Sequence, residues 1–300
     1  MRTEKCAFFL SIKYMTLSQF IQSPKSNHPN YVLLGHPVEH SWSPLMHNIA
    51  LQHYDIEAEY HAIDVQSKEL IDLASFFNRD SFLGANVTIP YKQSIANYLD
   101  SIDVSAQKIG AVNTIVKNDY QLEGYNTDYA GFTEPLQPYE FELEGASAVV
   151  FGTGGAARAI VYGLTEMGLE EMFLVSRSPN RITSYRDNRR VQIVSYENWT
   201  SFAEEALLIV NTTPLGMDPK IDSSPVRDEE KQYLEAKICY DIVYNPVETK
   251  FLKQASEAGA QMIDGLEMLI QQGSESFKLW TGYPFPINIV RDTLYEKLEN

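Results

Sequence analysis

The sequence predicts an α/β protein of two domains, each built on a largely parallel sheet. Three observations carry that expectation. From Tyr31 to Pro90, apolar runs of strand length alternate with stretches of helical spacing, the pattern of a mixed, mostly parallel sheet with helices packed on it. A second strand–turn–helix–strand run begins at Ala146. Between the two, Pro135, Pro138 and the acidic stretch to Glu144 mark a change of unit.

Tyr31–Leu34 reads as the first strand, ending at Gly35 and a loop rich in histidine and serine. A helix is expected from about Pro44 to Tyr54, because proline suits a first helical turn. Ala58–Ile63 alternates as a second strand, and Ser67 can cap the next helix, whose Leu70, Ile71, Leu73 and Ala74 recur at helical spacing. Gly84–Ile89 is a third strand, stopped at Pro90. Ala111–Val116 and Tyr120–Tyr125, joined through Lys117-Asn118-Asp119, form a hairpin and a locally antiparallel edge. Residues 1–30 read as a poorly structured extension, with Met15 an alternative initiator. Lys13 cuts its apolar run short and no clear small-residue cleavage site follows, so a signal peptide is the minor reading.

A formal charge of −16 over 300 residues repels phosphate backbones and anionic bilayers. Neither nucleic acid nor a membrane is therefore an expected partner, whereas a small anion in a cleft with local cations is compatible. No apolar run approaches spanning length. The two cysteines, Cys6 and Cys239, offer neither a disulfide framework nor a zinc spacing. Cys239 lies in an apolar run and reads as a buried thiol, and a reducing, cytoplasmic setting is expected. All six histidines fall between His28 and His61 without ligand spacing on a helix, so no metal is expected.

Ala148–Phe151 runs into Gly152-Thr153-Gly154-Gly155-Ala156-Ala157, with a helical pattern from Arg158 to Met167. A strand delivering the chain to a glycine turn, followed by a helix N-terminus, is how a Rossmann-type domain presents free N–H groups to a pyrophosphate. The next strand, Met172–Val175, ends in Ser176-Arg177-Ser178, with Arg181 beyond. An NAD site places a carboxylate there for the ribose hydroxyl. Two guanidiniums suit a 2′-phosphate instead, so the expected cofactor is NADP, unless these arginines are merely solvated loop residues.

The first domain holds three polar segments. In His40-Ser41-Trp42-Ser43-Pro44, an extended backbone would turn both hydroxyls to one side, suited to a carboxylate; Ser43 before Pro44 equally fits a helix N-cap. In Asn86–Lys92, Asn86 and Thr88 share a strand face that ends near a lone lysine. Asp128, closing Gly124-Tyr125-Asn126-Thr127-Asp128, is the candidate partner for Lys92, because domain junctions commonly carry the site.

Over residues 31–300 the chain resembles the shikimate dehydrogenase family. The segments that carry the likeness are His40–Asn48, Asn86–Lys92, Gly110–Thr114, Gly124–Asp128, Gly152–Arg158, Ser176–Arg181, Asp241–Pro246 and Gly265–Gln272. The resemblance implies a substrate domain of residues 31–130 and 264–300 around an inserted NADP domain of residues 131–263. It implies reduction of the C3 ketone of 3-dehydroshikimate by NADPH, with Lys92 and Asp128 catalytic. Ser41, Ser43 and Tyr244 would hold the carboxylate, and Asn86, Thr88, Asn113, Asp128 and Gln272 the ring hydroxyls and ketone, alongside Lys92. Gly152, Gly154, Gly155, Ala156, Ala157, Arg158, Ser176, Arg177, Ser178, Arg181, Thr212 and Gly265 would hold the cofactor. A monomer or homodimer acting on a small molecule is implied. Ser176 stands where the family usually has asparagine, Trp42 is bulky for its place, and residues 1–30 lack a counterpart in most members. A quinate/shikimate dehydrogenase and a catalytically idle ligand-binding relative are the rival readings.

Overall fold

The computed structural model describes residues 14–298. They divide into two compact units, the first running to Thr127 and resuming over Gly273–Lys297, the second spanning Asp128–Gln272.

The first unit carries strands β1 (Met15–Thr16), β2 (Asn30–Gly35), β3 (Glu59–Asp64), β4 (Phe82–Val87), β5 (Ser101–Ile102), β6 (Thr114–Asn118) and β7 (Gln121–Tyr125). Their order across the sheet is β1-β3-β2-β4-β6-β7-β5. β1 to β4 pair in parallel, and the β6–β7 hairpin joins antiparallel to β4. The expected hairpin is present, and the two-residue β5 lies parallel to β7 at its outer side. Helices α1 (Leu17–Gln22), α2 (Ser43–His53), α3 (Leu73–Phe77) and α4 (Val104–Ile109) complete the local chain.

Two expectations change here. Residues 15–27 are not structureless: β1 pairs with β3 at Met15↔Ile63 and Thr16↔Asp64, and α1 buries Leu17 and Phe20 fully. The ring of Phe20 meets Phe76 edge-on at 5.8 Å between centroids. Polar ties complete the anchorage, since the Glu69 carboxylate accepts from Ser18 Oγ (2.6 Å) and Ser18 N (3.1 Å), and Ser26 Oγ accepts from Arg79 Nη1 (2.9 Å). The second change follows from the same carboxylate. Glu69 also accepts from Gln66 N (2.9 Å), so Gln66 rather than Ser67 caps the next turn, and residues 67–72 wind as a 3-10 helix before α3.

The second unit carries α5 (Asp128–Thr133), α6 (Glu140–Leu143), β8 (Ser147–Phe151), α7 (Gly155–Glu166), β9 (Glu171–Ser176), β10 (Val191–Ser195), α8 (Thr200–Ala203), β11 (Ala206–Asn211), β12 (Ile238–Asp241), α9 (Lys250–Glu257) and β13 (Gln261–Ile263). All neighbours pair in parallel in the order β10-β9-β8-β11-β12-β13. Numbered within this sheet, that is 3-2-1-4-5-6, the doubly wound order of dinucleotide-binding domains. Its central strands are largely apolar because both faces are covered. Ala148, Val150, Leu174, Leu208 and Val210 enter one core, while Val149, Phe151, Val175, Ile209 and Cys239 enter the other. Burial pushes the Cys239 thiol up to about 12, which makes it chemically quiet; Cys6 lies outside the described residues.

Two helices end the chain, α10 (Gly265–Thr281) and α11 (Ile287–Leu298). The change of unit falls at Gly273, inside α10, rather than at residue 264. Packing explains the shift. Ile263 and Met268 still lie in the second unit's core, whereas Phe277 and Trp280 pack on His47 and Tyr31 of the first. Among the described residues, no helix is long and apolar enough to cross a membrane.

Candidate active site

At the carboxyl end of β2 the chain turns, with Ser41 N donating to Val38 O at 3.1 Å, and enters α2 at Ser43. The segment is therefore not extended. The two hydroxyls still meet: Ser41 Oγ lies 3.3 Å from Ser43 Oγ and accepts from Ser43 N at 3.3 Å. Trp42, not Ser43, occupies the N-cap position, and it makes no side-chain cap bond. The serine pair is thus held by its own turn beside the first N–H groups of α2, a place that favours a negative group.

β4 ends at Val87, two residues earlier than the alternation suggests, because the chain leaves the sheet in a turn in which Tyr91 N donates to Thr88 O at 2.9 Å. Asn86 and Thr88 therefore do not continue one strand face to Pro90, and Ile89 points out at 72% exposure. Tyr91 Oη fastens the turn to Val65 O (2.5 Å), and Lys92 O accepts from Val112 N (2.7 Å). Lys92 is thereby tied to the loop that carries Asn113.

Asn86 is 4% exposed, and its oxygen accepts from Tyr60 Oη (2.8 Å) while its amide nitrogen faces Ser276 Oγ (2.9 Å), Thr114 Oγ1 (3.1 Å) and Asn113 O (3.2 Å). Its polar atoms are engaged inside the unit, so Asn86 braces its neighbours. Asn113 Oδ1 in turn accepts from Thr127 N at 2.7 Å. The residue before Asp128 is thus pinned to Asn113.

Within the second unit, Asp128 opens α5, and Gly131 lies one helical turn later on the same side. A Cβ on Gly131 would stand 2.6 Å from Gln272 N and 2.7 Å from Gln272 Cβ. The close approach of α5 to α10 thus sets the spacing between Asp128 and Gln272. The amide of Gln272 donates to Leu269 O within its own helix (2.7 Å).

The glycine turn follows β8 as expected, but the helix starts at Gly155, three residues before Arg158. Gly152 has φ of 110°, a region L side chains avoid, and a Cβ there would collide with Thr212 Oγ1. Gly154, the N-cap of α7, makes no side-chain cap bond, and open space lies over Gly154 and Gly155. The N-cap residue thus leaves the first N–H groups of α7 without a side-chain cap, and a phosphate fits that role. At the end of β9, Ser176 Oγ accepts from Ser178 N (3.2 Å), and Arg177 and Arg181 are exposed with no carboxylate between residues 176 and 181. These features fit a 2′-phosphorylated dinucleotide. Thr212 Oγ1 donates to Phe151 O (2.7 Å), which ties β11's exit to the glycine turn. A Cβ on Gly265 would lie 2.5 Å from Ile242 O, so this glycine lets α10 start against the backbone that leads to Tyr244.

Two groups escaped the sequence reading. Asn211 and Asp241 end β11 and β12 side by side, fully buried and hydrogen-bonded at 3.0 Å. Burial raises the Asp241 carboxyl to about 7, against the lowering effect of bonds from Thr249, Val243 N and Asn211. A polar pair ending two adjacent central strands was the available signal.

Residues 33–115 match the family profile described as the shikimate dehydrogenase substrate binding domain, and residues 265–295 match the shikimate 5'-dehydrogenase C-terminal domain. A curated shikimate dehydrogenase (NADP(+)) of Moorella thermoacetica is 40% identical over 274 residues, covering 89% of this chain and 92% of its own. The chain belongs to the shikimate dehydrogenase family. Among solved structures, the shikimate 5-dehydrogenase of Thermus thermophilus in complex with NADP(H) and shikimate superposes with TM-score 0.79 at 35% identity, covering 89% of this chain and 99% of that one. A quinate dehydrogenase from Corynebacterium glutamicum in complex with NAD gives TM-score 0.79 at 28% identity, with 89% and 99% covered. The shikimate dehydrogenase substrate-domain match takes in Ser41, Ser43, Asn86, Thr88, Lys92 and Asn113, and the C-terminal match takes in Gly265 and Gln272.

Proposed function

We propose that this chain is a shikimate dehydrogenase that reversibly reduces 3-dehydroshikimate to shikimate with NADPH, a step toward chorismate and the aromatic amino acids. The observation that carries the reading is the near full-length similarity to a relative named shikimate dehydrogenase (NADP(+)). The arginines at the end of β9, with no carboxylate beside them, support the phosphorylated cofactor.

In this reading Gly152, Gly154, Gly155, Ala156, Ala157 and Arg158 take the pyrophosphate at the uncapped start of α7. Ser176, Arg177, Ser178 and Arg181 take the 2′-phosphate, and Thr212 and Gly265 shape the nicotinamide end. NADPH, when bound, supplies a hydride to the substrate's C3 carbonyl carbon. Ser41, Ser43 and Tyr244 hold the substrate carboxylate, while Thr88, Asn113 and Gln272 bind ring oxygens. The Lys92 ammonium stabilises the developing alkoxide and donates a proton to that oxygen, and Asp128 orients the hydroxyl that results. Asn86 acts at one remove, by bracing Asn113 and Thr114. The same reading places the enzyme in the cytoplasm, as a monomer or homodimer.

Spectrophotometric oxidation of shikimate and of quinate, each with NADP+ and with NAD+, tests this. Turnover of shikimate with NADP+ well above the other three combinations is expected. Preference for quinate with NAD+ would replace the reading by a quinate dehydrogenase. Shikimate binding without turnover would replace it by an idle relative.

A further inference from the structure

The ends of β11 and β12 hold a buried carboxylate that the reaction itself does not use. Asp241 Oδ1 accepts from Asn211 Nδ2 and from Val243 N, both at 3.0 Å, and Oδ2 accepts from Thr249 Oγ1 at 2.7 Å. Three donors converge on it from three places: the end of β11, the loop after β12 and the N-cap of α9, where Thr249 also accepts from Leu252 N. No cation is among the causes acting on its titration.

The contact with Asn211 has a directional consequence. Ionised, at a pH above about 7, the Asp241 carboxylate only accepts, so it holds the amide nitrogen of Asn211 toward itself and leaves the amide oxygen facing the other way. That oxygen accepts from Thr213 N (3.0 Å) and Thr213 Oγ1 (2.7 Å), while the nitrogen also reaches Leu215 O (3.1 Å). The conformation of residues 212–216 thus follows from which way Asn211 points. The bond to Val243 N, one residue before Tyr244, fixes the start of the other loop.

We propose that Asp241 is the positioning residue that sets the cofactor loop at Thr212 and the substrate loop at Tyr244 together, so that one buried side chain aligns both ligands. The proposal rests on the reading of Thr212 and Tyr244 given above. Asp241 touches neither ligand, and its replacement acts through the two loops. Asp241→Asn removes the rule that orients Asn211, since an amide offers a donor as well as an acceptor. Thr249→Val cuts the bond to Oδ2 together with the cap that Thr249 gives Leu252 N at the start of α9, and leaves both Asn211 and Val243 N on Oδ1.

Steady-state constants for shikimate and NADP+, with thermal midpoints, test the idea. For Asp241→Asn, both KM values are expected to rise about tenfold, equivalent to about 1.4 kcal/mol each, with a smaller fall in kcat. For Thr249→Val, which frees Oδ2 and lets the carboxylate turn on its two Oδ1 bonds, both KM values should rise together, about threefold each. Both KM values within about twofold of the parent in Asp241→Asn, with only the midpoint lowered, would overturn the proposal in favour of a purely structural carboxylate. If Asp241→Asn does not fold, Thr249→Val decides alone, and parental constants there overturn it too. A parent chain that binds NADP+ but does not oxidise shikimate would refute the function instead, and calorimetric NADP+ affinity of parent and Asp241→Asn would still read the cofactor loop. A parent that neither turns over nor binds NADP+ sinks both.

Discussion

Replacing Gly131 by alanine perturbs the site without touching a ligand. The added Cβ would sit 2.6 Å from Gln272 N, 2.7 Å from Gln272 Cβ and 2.9 Å from Gln272 Cα. Backbone atoms cannot swing aside as a side-chain tip can. Restoring ordinary contact at 3.4 Å requires α5 and α10 to part by about 0.8 Å, the difference between 3.4 and 2.6. Overpacking of this kind costs about 1–3 kcal/mol of stability. Because Asp128 lies one turn from Gly131 and Gln272 is the residue struck, the same movement separates two proposed substrate groups. A displacement approaching 1 Å in a catalytic constellation lowers rate by up to about a hundredfold. We expect Gly131→Ala to fold, to melt several degrees lower, and to lose about ten- to a hundredfold in kcat/KM for shikimate, with the KM for NADP+ much less affected. The assay is NADP+-linked shikimate oxidation beside a thermal melt. Unchanged kcat/KM and an unchanged midpoint would show that the two helices have slack, and the spacing argument would fail.

Lys92→Ala should cost about 10²–10⁴ in kcat and shift KM less; near-parental turnover in a stopped assay would remove Lys92 from catalysis. Arg177→Asp places a carboxylate where β9 ends, so NADP+ affinity should drop about 10–100-fold while NAD+ improves, and unaltered NADP+ titrations would contradict the clamp. For Asp241 the folded pKa lies above the unfolded one, at about 7 against 3.8. The native state then binds more protons than the unfolded chain between about pH 4 and 7, so this group's contribution weakens as pH rises through that window, by up to about 4 kcal/mol. Denaturant melts of the parent should fall in that direction more steeply than those of Asp241→Asn, and parallel pH profiles would refute the linkage.

Much of this is legible in the order of the residues alone. The run from Ala148 to Phe151 is apolar at every position, then breaks into glycines, and a strand buried on both faces that meets a phosphate turn has few other ways to be written. The arginines after Val175 are local too. What escapes are features whose cause lies far along the chain. The β1–α1 segment is only eight residues from Met15 to Gln22, too short for its period to show, and it is ordered by Glu69, Phe76 and β3. The partners that hold Asn86, Tyr60 and Ser276, are 26 and 190 residues away. The serine pair is legible for a partly mistaken reason, since a turn rather than an extended strand brings the hydroxyls together. Gly131 carries no motif, and its importance exists only against Gln272.

The β1–α1 segment also bears on how this protein behaves in the test tube. β1 sits along the outer flank of β3, and α1 lies over aromatic rings beside it. A chain trimmed back to Ser23 for expression would present bare backbone donors and acceptors next to an uncovered greasy surface. Such flanks recruit strands from other molecules, so solubility, rather than turnover per folded molecule, is where that trimming would be felt first.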